Sequence, residues 1–174
     1  LLPAPAPPST RSLKPSHGQA THPGKKHDHN EDAVVTFTFD KEQKGYSVPV
    51  SFYLVADGMG GHQAGDLASR TADRDVSHWI IQTKVLPDLH KATHPLRAED
   101  TTGEMLTQAI QQANGALVNH GQTAKSDLGS TVTAALIIGD VATITNVGDS
   151  RTYLLRDGRL EQITQDHSLV ARLV

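Results

Sequence analysis

Two apolar runs decide the fold: Ala33-Val-Val-Thr-Phe-Thr-Phe39 and, after a charged segment, Val48-Pro-Val-Ser-Phe-Tyr-Leu-Val-Ala56. The first run alternates and is rich in β-branched and aromatic residues, as a half-buried strand is, and the second run is a further strand. Only a short charged turn at 40–46 separates them. We therefore predict an antiparallel hairpin, in which the start of the first strand lies beside the end of the second.

Beyond the hairpin the hydrophobic pattern changes twice. Helical spacing extends from about Gln63 to Lys84 and returns around Met105–Leu117, so two amphipathic helices are predicted. Three further strands are predicted: Thr131–Ile138, Val141–Val147 and Thr152–Arg156. The order ββ–αα–βββ predicts an α+β fold with antiparallel sheets. The final stretch, 168–174, is typical of the first turns of another helix.

Composition excludes several classes of function. The 174 residues suffice for one domain, and 16 Lys and Arg against 19 Asp and Glu exclude a strongly basic nucleic-acid binder. No apolar run approaches the ~18 residues that a membrane span needs, so we expect a soluble chain. We further expect a cytoplasmic location and a monomer. The chain contains no cysteine, which excludes disulfides, thiolate zinc sites and cysteine nucleophiles.

The beginning of the chain differs from the rest. Residues 1–24 contain six of the nine prolines and no acidic residue. Such a segment has too little apolar surface to fold, so we predict a disordered proline-rich linker over 1–23 and a folded domain over 24–174. Because the chain begins at leucine and stops within a predicted helix, we expect it to be a piece of a longer protein.

Two acidic clusters flank the predicted hairpin. Asn30-Glu-Asp32 precedes the first strand, and Asp57-Gly-Met-Gly-Gly-His62 follows the second. Antiparallel pairing would bring Glu31 and Asp32 close to Asp57. Crowded carboxylates are unfavourable unless they are protonated or bridged by cations. Oxygen ligands without thiolates suit Mg²⁺ or Mn²⁺.

Two further groups are candidates for the same cluster. The glycines around Gly58 let the backbone come close enough for a carbonyl to act as a ligand. Asp149 stands in the tight turn Val147-Gly-Asp-Ser-Arg151, which could aim its carboxylate at the same end of the sheet. Each motif taken singly is more often an ordinary turn or cap. Their conjunction in this order favours a metal site.

The combination of motifs resembles the metal-dependent protein phosphatases of type 2C, most closely the bacterial serine/threonine phosphatases. The resemblance extends from about residue 24 to the end of the chain and is carried by five motifs: Asn30-Glu-Asp32, Leu54-Val-Ala-Asp-Gly-Met-Gly-Gly-His62, Leu128-Gly-Ser-Thr131, Asn146-Val-Gly-Asp-Ser-Arg151 and Ile163-Thr-Gln-Asp-His-Ser168. It implies an αββα sandwich, in which two antiparallel sheets face each other, helices lie outside and a metal site lies at one end.

The resemblance also implies a set of metal ligands. Asp57 would bridge two central Mn²⁺ or Mg²⁺ ions, and Gly58 would ligate through its carbonyl. Glu31 would bind the second ion directly or through water. Asp149 would help to hold a looser third ion.

The resemblance further implies a mechanism that needs no protein nucleophile. A metal-activated water attacks phosphorus in line. Asp32 would orient this water, and His62 would be the general acid that protonates the leaving seryl or threonyl oxygen.

The sequence departs from the family pattern at two places. His27 occupies the position of an arginine that grips the phosphate, and a mostly neutral imidazole lacks the charged fork of arginine. Phosphate affinity should therefore be weaker and should partly recover on acidification. The family's later aspartate ligands are absent, so we expect a sandwich that is incomplete at the C-terminus and a fragment that alone is weak or inactive.

Three functions follow from these observations. The first is hydrolysis of phosphoserine and phosphothreonine in proteins, with a serine/threonine kinase as a candidate partner. The second is a pseudophosphatase that binds phosphoproteins or a kinase without turnover, which His27 favours and the intact Asp57 and His62 oppose. The third is a plain metal-binding or structural domain, which the ordered motifs disfavour.

Overall fold

The structure is a computed structural model that describes five segments of the chain: residues 15–25, 28–43, 46–60, 63–89 and 101–167. The strands within these segments are β1 (Asp32–Gln43), β2 (Tyr46–Met59), β3 (Gly129–Ser130), β4 (Val132–Ile138), β5 (Val141–Val147), β6 (Tyr153–Arg156) and β7 (Arg159–Gln162). The helical segments are α1 (Gln63–Ile80), a π-helical turn (Ile81–Val85), α2 (Leu86–Leu89) and α3 (Thr102–Ala124). The predicted final helix at 168–174 lies outside the described residues.

The strands form two antiparallel sheets. In the larger sheet the order is β1-β2-β4-β5, and β3 pairs with the end of β2. β6 and β7 form a separate two-stranded sheet. The predicted α+β class, with two antiparallel sheets and flanking helices, is confirmed.

Several elements differ from the sequence-based prediction. The predicted turn over 40–46 is largely strand, since β1 extends to Gln43 and β2 begins at Tyr46. The first predicted helix passes into a π-helical turn after Ile80. The predicted strand over Thr131–Ile138 begins at Val132, because Thr131 separates it from β3. β7 was not predicted; it follows a two-residue turn in which Asp157 and Gly158 both have positive φ, the geometry that favours a tight hairpin.

The core lies between one face of the larger sheet and the helices. α1 packs against β1 and β2, and α3 packs against α1 and β5. Phe52, Leu54 and Ala56 are buried at alternate positions of β2, and residues three or four apart are buried along the helices. The largest fully buried apolar side chains are Phe52, Leu54, Ile80, Leu106, Leu136, Val50 and Val76.

Both ends of α3 are fixed by local chemistry. The Thr101 hydroxyl accepts a hydrogen bond from the Glu104 N–H, and the Glu104 carboxylate accepts one from the Thr101 N–H. This reciprocal capping box satisfies two backbone donors that the first turn leaves unpaired. At the other end Lys125 adopts a left-handed conformation, and its N–H donates to the Gly121 carbonyl.

An N-terminal segment, residues 15–25, lies along the opposite face of the sheet. Thr36 donates a hydrogen bond from Oγ1 to Oε1 of Gln19 at 3.1 Å. The His17 ring lies edge-on to Tyr53, with 5.8 Å between the ring centroids. Residues 1–14 of the predicted linker lie outside the described residues. Among the described helices, none is long and apolar enough to cross a membrane.

The packing of α3 gives a prediction about stability. Leu106 is completely buried, whereas Val118 on the same helix is 49% exposed. Leu106→Ala should lower the free energy of unfolding by about 2–5 kcal/mol, because a cavity remains in the core. Val118→Ala should change it by less than about 1 kcal/mol. Urea unfolding measures both, and equal losses would contradict this packing.

Candidate functional site

The open end of the β1–β2 hairpin gathers the acidic residues that the sequence singled out. Asp32 lies directly opposite Asp57 in the antiparallel register. The Gly58 N–H donates a hydrogen bond to the Glu31 carbonyl at 3.0 Å, which holds Glu31 beside the end of β2. Asn30 Oδ1 accepts from the Asp32 N–H at 3.2 Å and turns the chain into β1. The predicted juxtaposition of these two segments is therefore present.

Burial and three neighbouring negative charges disfavour the ionised form of Asp57. Burial raises the pKa of this carboxyl, and the charges of Asp32, Asp149 and Glu31 raise it further, in that order. Asp149 belongs to a turn 92 positions later in the sequence, so only the fold can bring its charge to bear on Asp57. A cation placed among these groups would relieve their mutual repulsion.

Three carboxylates at the end of the sheet have oxygen atoms that are not engaged by partners in the described segments. Within the described part of the chain, the carboxylates of Asp32, Asp57 and Asp149 form no hydrogen bond or ion pair. Asp66, by contrast, is paired with Arg70 in the same helix. The acidic side chains at the sheet end therefore keep their oxygen atoms available for a ligand.

Two glycines pack the backbone tightly around Glu31. A Cβ atom at Gly58 would overlap the carbonyl of Gly65, and a Cβ atom at Gly65 would overlap the Glu31 carboxylate. The first turn of α1 therefore lies in direct contact with both the end of β2 and the Glu31 side chain. A larger residue at Gly58 would require the backbone to move.

An ion pair between Arg151 and Asp166 joins the turn that carries Asp149 to the segment before residue 168. Arg151 contacts the Asp166 carboxylate with Nε at 3.0 Å and Nη2 at 2.6 Å, a bidentate arrangement. The Arg151 guanidinium holds the pKa of Asp166 below its ordinary value. The His167 N–H also donates to the Gly148 carbonyl at 2.8 Å. Sequence reasoning did not foresee this clamp, because its partners lie fifteen residues apart in irregular segments.

The predicted site residues divide into two groups. Glu31, Asp32, Asp57, Gly58 and Asp149 lie in described segments at one end of the larger sheet. His27 and His62, the predicted phosphate contact and general acid, lie outside the described residues. The assignment of each residue to a role stays a prediction.

The donor set fits a hard divalent cation. It consists of carboxylate and carbonyl oxygens without sulfur, which suits Mg²⁺ or Mn²⁺, and the raised pKa of Asp57 marks a place where positive charge is favourable. Within the described residues, no three acidic or histidine side chains already close around one point. The arrangement is therefore an open set of ligands rather than a complete cage.

One residue of the site was recognised in the sequence without a role. Thr131 closes the motif Leu128-Gly-Ser-Thr131, and its hydroxyl accepts a hydrogen bond from the Asp57 N–H at 3.1 Å. The signal in the sequence was the motif itself. The contact depends on the pairing of distant strands.

Comparison with known families and sequences gives consistent matches. The family profile described as Protein phosphatase 2C matches residues 20–172. The serine/threonine phosphatase stp of Listeria welshimeri is 36% identical over 156 residues, which are 88% of this chain and 55% of that relative. The serine/threonine protein phosphatase PstP of Mycobacterium tuberculosis is 34% identical over 125 residues, which are 69% of this chain and 21% of that relative.

Solved structures agree with these matches. The crystal structure of a bacterial serine phosphatase aligns with a TM-score of 0.65 at 29% identity, covering 88% of this chain and 56% of that chain. The catalytic domain of PstP in complex with two manganese ions aligns with a TM-score of 0.56 at 28% identity, covering 82% and 59%. This chain therefore spans about half the length of the Listeria relative and of these solved structures.

The charge on Asp57 predicts a pH-dependent effect on stability. Because the pKa of Asp57 is raised in the folded state, its contribution favours folding at low pH and is lost as the pH rises through the folded pKa. The asparagine side chain in Asp57→Asn carries no charge at any pH. In EDTA at pH 7 it should raise the Tm by a few degrees at most, since water screens a partly exposed carboxylate, and the gain should shrink towards pH 3.

The control for this measurement is Asp140→Asn, in the exposed turn between β4 and β5. Thermal unfolding followed by circular dichroism should show no comparable gain for that variant. A Tm for Asp57→Asn that falls in EDTA at pH 7 would contradict the charge crowding.

Proposed function

This chain belongs to the protein phosphatase 2C family, and we propose on that basis that it carries out metal-dependent hydrolysis of phosphoserine and phosphothreonine in proteins. The observation that supports the proposal is that Asp32, Asp149 and Glu31 lie close enough to Asp57, at one end of the sheet, for their charges to raise its pKa in addition to burial. The names of the relatives support the reaction and the class of substrate.

The proposed cation site uses the residues at the open end of the hairpin. Asp57, Glu31 and the Gly58 carbonyl would hold two central Mn²⁺ or Mg²⁺ ions, and Asp149 would contribute to a third. The PstP structure with two manganese ions supports the choice of metal. When bound, such ions supply positive charge to the phosphoryl group and an activated water.

The remaining roles belong to side chains that handle protons and phosphate. Asp32, opposite Asp57, would accept hydrogen bonds from the attacking water and so would orient it. His62 protonates the leaving oxygen of serine or threonine, and His27 contacts the phosphate. Because the hydrolysis proceeds without a protein nucleophile, it is compatible with a chain that has no cysteine.

The pseudophosphatase alternative rested on His27 and gains no support from the relatives, which are named as phosphatases. Because the chain spans 55% of the Listeria relative, the activity and substrates of the whole protein are part of the proposal. A kinase partner, a monomeric state and a cytoplasmic location stay predictions from the sequence.

The proposal predicts that activity depends on Asp57 and on divalent metal. Hydrolysis of p-nitrophenyl phosphate and of a phosphothreonine peptide should require Mn²⁺ or Mg²⁺ and should stop in EDTA. Asp57→Asn should reduce the rate by at least about 100-fold, because it removes a carboxylate that would hold the metal ions. The assay is best run on this chain and on a form extended to the relatives' length, with Asp140→Asn as the control. A folded, metal-loaded extended form without turnover would refute the proposal.

His27 gives an independent prediction. His27→Arg should lower the KM for the phosphothreonine peptide at pH 7.5 by about 5–10-fold, because a charged fork binds phosphate more tightly than a neutral ring. The wild-type KM should fall as the pH is lowered towards 6, whereas that of the variant should change less. His120→Arg adds the same charge at an exposed position of α3 and should leave the KM unchanged. A KM that does not respond to His27→Arg would remove His27 from the phosphate site.

A further inference from the structure

Thr131 lies between the end of β2, which carries Asp57, and the turn that carries Asp149. β2 pairs with β3 and with β4 in one continuous register, since Gly58 pairs with Ser130 and Val55 pairs with Thr133. Thr131 therefore lies opposite Asp57, although it belongs to neither β3 nor β4. Its exposed fraction is 9%, so its hydroxyl has to find partners within the protein.

The contact between Thr131 and Asp57 combines a backbone bond with a side-chain bond. The Thr131 N–H donates to the Asp57 carbonyl at 2.8 Å, as in an antiparallel ladder. The Asp57 N–H donates to Thr131 Oγ1 at 3.1 Å. The Thr131 carbonyl accepts from the Ser130 hydroxyl at 2.8 Å. The threonine side chain thus takes the place of a main-chain acceptor at the position of Asp57.

The same hydroxyl reaches the turn that carries Asp149. Thr131 Oγ1 and Ser150 Oγ are 2.6 Å apart. Gly148, with φ of +97°, packs against the threonine methyl group, and a Cβ atom there would lie 2.7 Å from Thr131 Cγ2. One side chain therefore contacts Asp57 itself and both neighbours of Asp149.

We propose that Thr131 is a positioning residue that sets the spacing between the Asp57 and Asp149 carboxylates. A hydroxyl that accepts from the Asp57 N–H can donate its own hydrogen to Ser150, so the two segments share one continuous hydrogen-bond chain. The inference rests on the proposed function, because the spacing matters only if both carboxylates bind cations. Thr131 touches no substrate and acts through the two carboxylates.

A second hydroxyl pair provides a matched control. Thr133 Oγ1 and Thr152 Oγ1 are 2.7 Å apart, and Thr133 is buried to a similar extent, at 7% exposed. This pair also joins β4 to the segment beyond the Asp149 turn. In the described part of the chain it forms no hydrogen bond to Asp57 or to Ser150.

Three variants of the 174-residue chain separate positioning from folding. Thr131→Val keeps the shape of the side chain and removes the hydroxyl, and Thr131→Ser restores the hydroxyl. Thr133→Val removes the control hydroxyl. The readouts are hydrogen exchange of the Asp57 amide by NMR in EDTA, and titration with Mn²⁺ alone, followed by the paramagnetic resonance signal of the free ion.

Thr131→Val should speed exchange of the Asp57 amide by about tenfold or more, because the amide loses its acceptor. Its Mn²⁺ affinity should fall by about tenfold or more, as for residues that orient metal ligands. Thr131→Ser should restore both values towards wild type. Thr133→Val should leave the Mn²⁺ affinity near wild type, although both valine variants lower the Tm.

Three results would overturn the inference. Thr131→Val that binds Mn²⁺ like the wild type would refute positioning and leave the proposed function intact. An equal loss of Mn²⁺ affinity in Thr133→Val would trace the effect to folding. A wild-type protein without measurable Mn²⁺ binding, both as this chain and in the form extended to the relatives' length, would refute these carboxylates as cation ligands, on which both proposals depend.

Discussion

The antiparallel register of β1 and β2 forces like charges together at one end of the sheet. It places Asp32 opposite Asp57, and the same register directs Phe52 and Leu54 towards the helices. A slip of one residue would turn these apolar side chains to the other face, so burial of the core fixes the register. The core therefore maintains a cluster of carboxylates that their mutual repulsion alone would disperse.

The segments that carry these carboxylates are held by backbone packing and by neighbouring side chains, and not by ion pairs of the carboxylates of Asp32, Asp57 or Asp149 within the described residues. Gly58 packs against Gly65, and the turn at Gly148 packs against Thr131. Arg151 pairs with Asp166 and not with Asp149 beside it. This division leaves the carboxylate oxygens available while their positions are fixed, which is the condition that a preorganised cation site requires.

The sequence predicted those elements whose pattern is local. Alternation gave the hairpin, and helical spacing gave α1 and α3 with boundaries within a few residues. The prediction missed β7 because Arg159-Leu-Glu-Gln162 is too short and too polar to show a strand pattern. The predicted strand included Thr131 because β-branched residues continue there. In the structure the Thr131 hydroxyl accepts the hydrogen bond of the Asp57 N–H, and β4 begins at the next residue.

Residue order by itself determined the α+β class, the family motifs and the meeting of Glu31, Asp32 and Asp57, since a hairpin brings together residues that flank it. Tertiary structure alone decided that the charge of Asp149 acts on Asp57, that Arg151 clamps Asp166 and that Thr131 contacts both acidic segments. The physical reason is that these contacts join segments far apart in the chain. Their geometry is set by strand pairing and turn conformation, which the periodicity of a single segment does not encode.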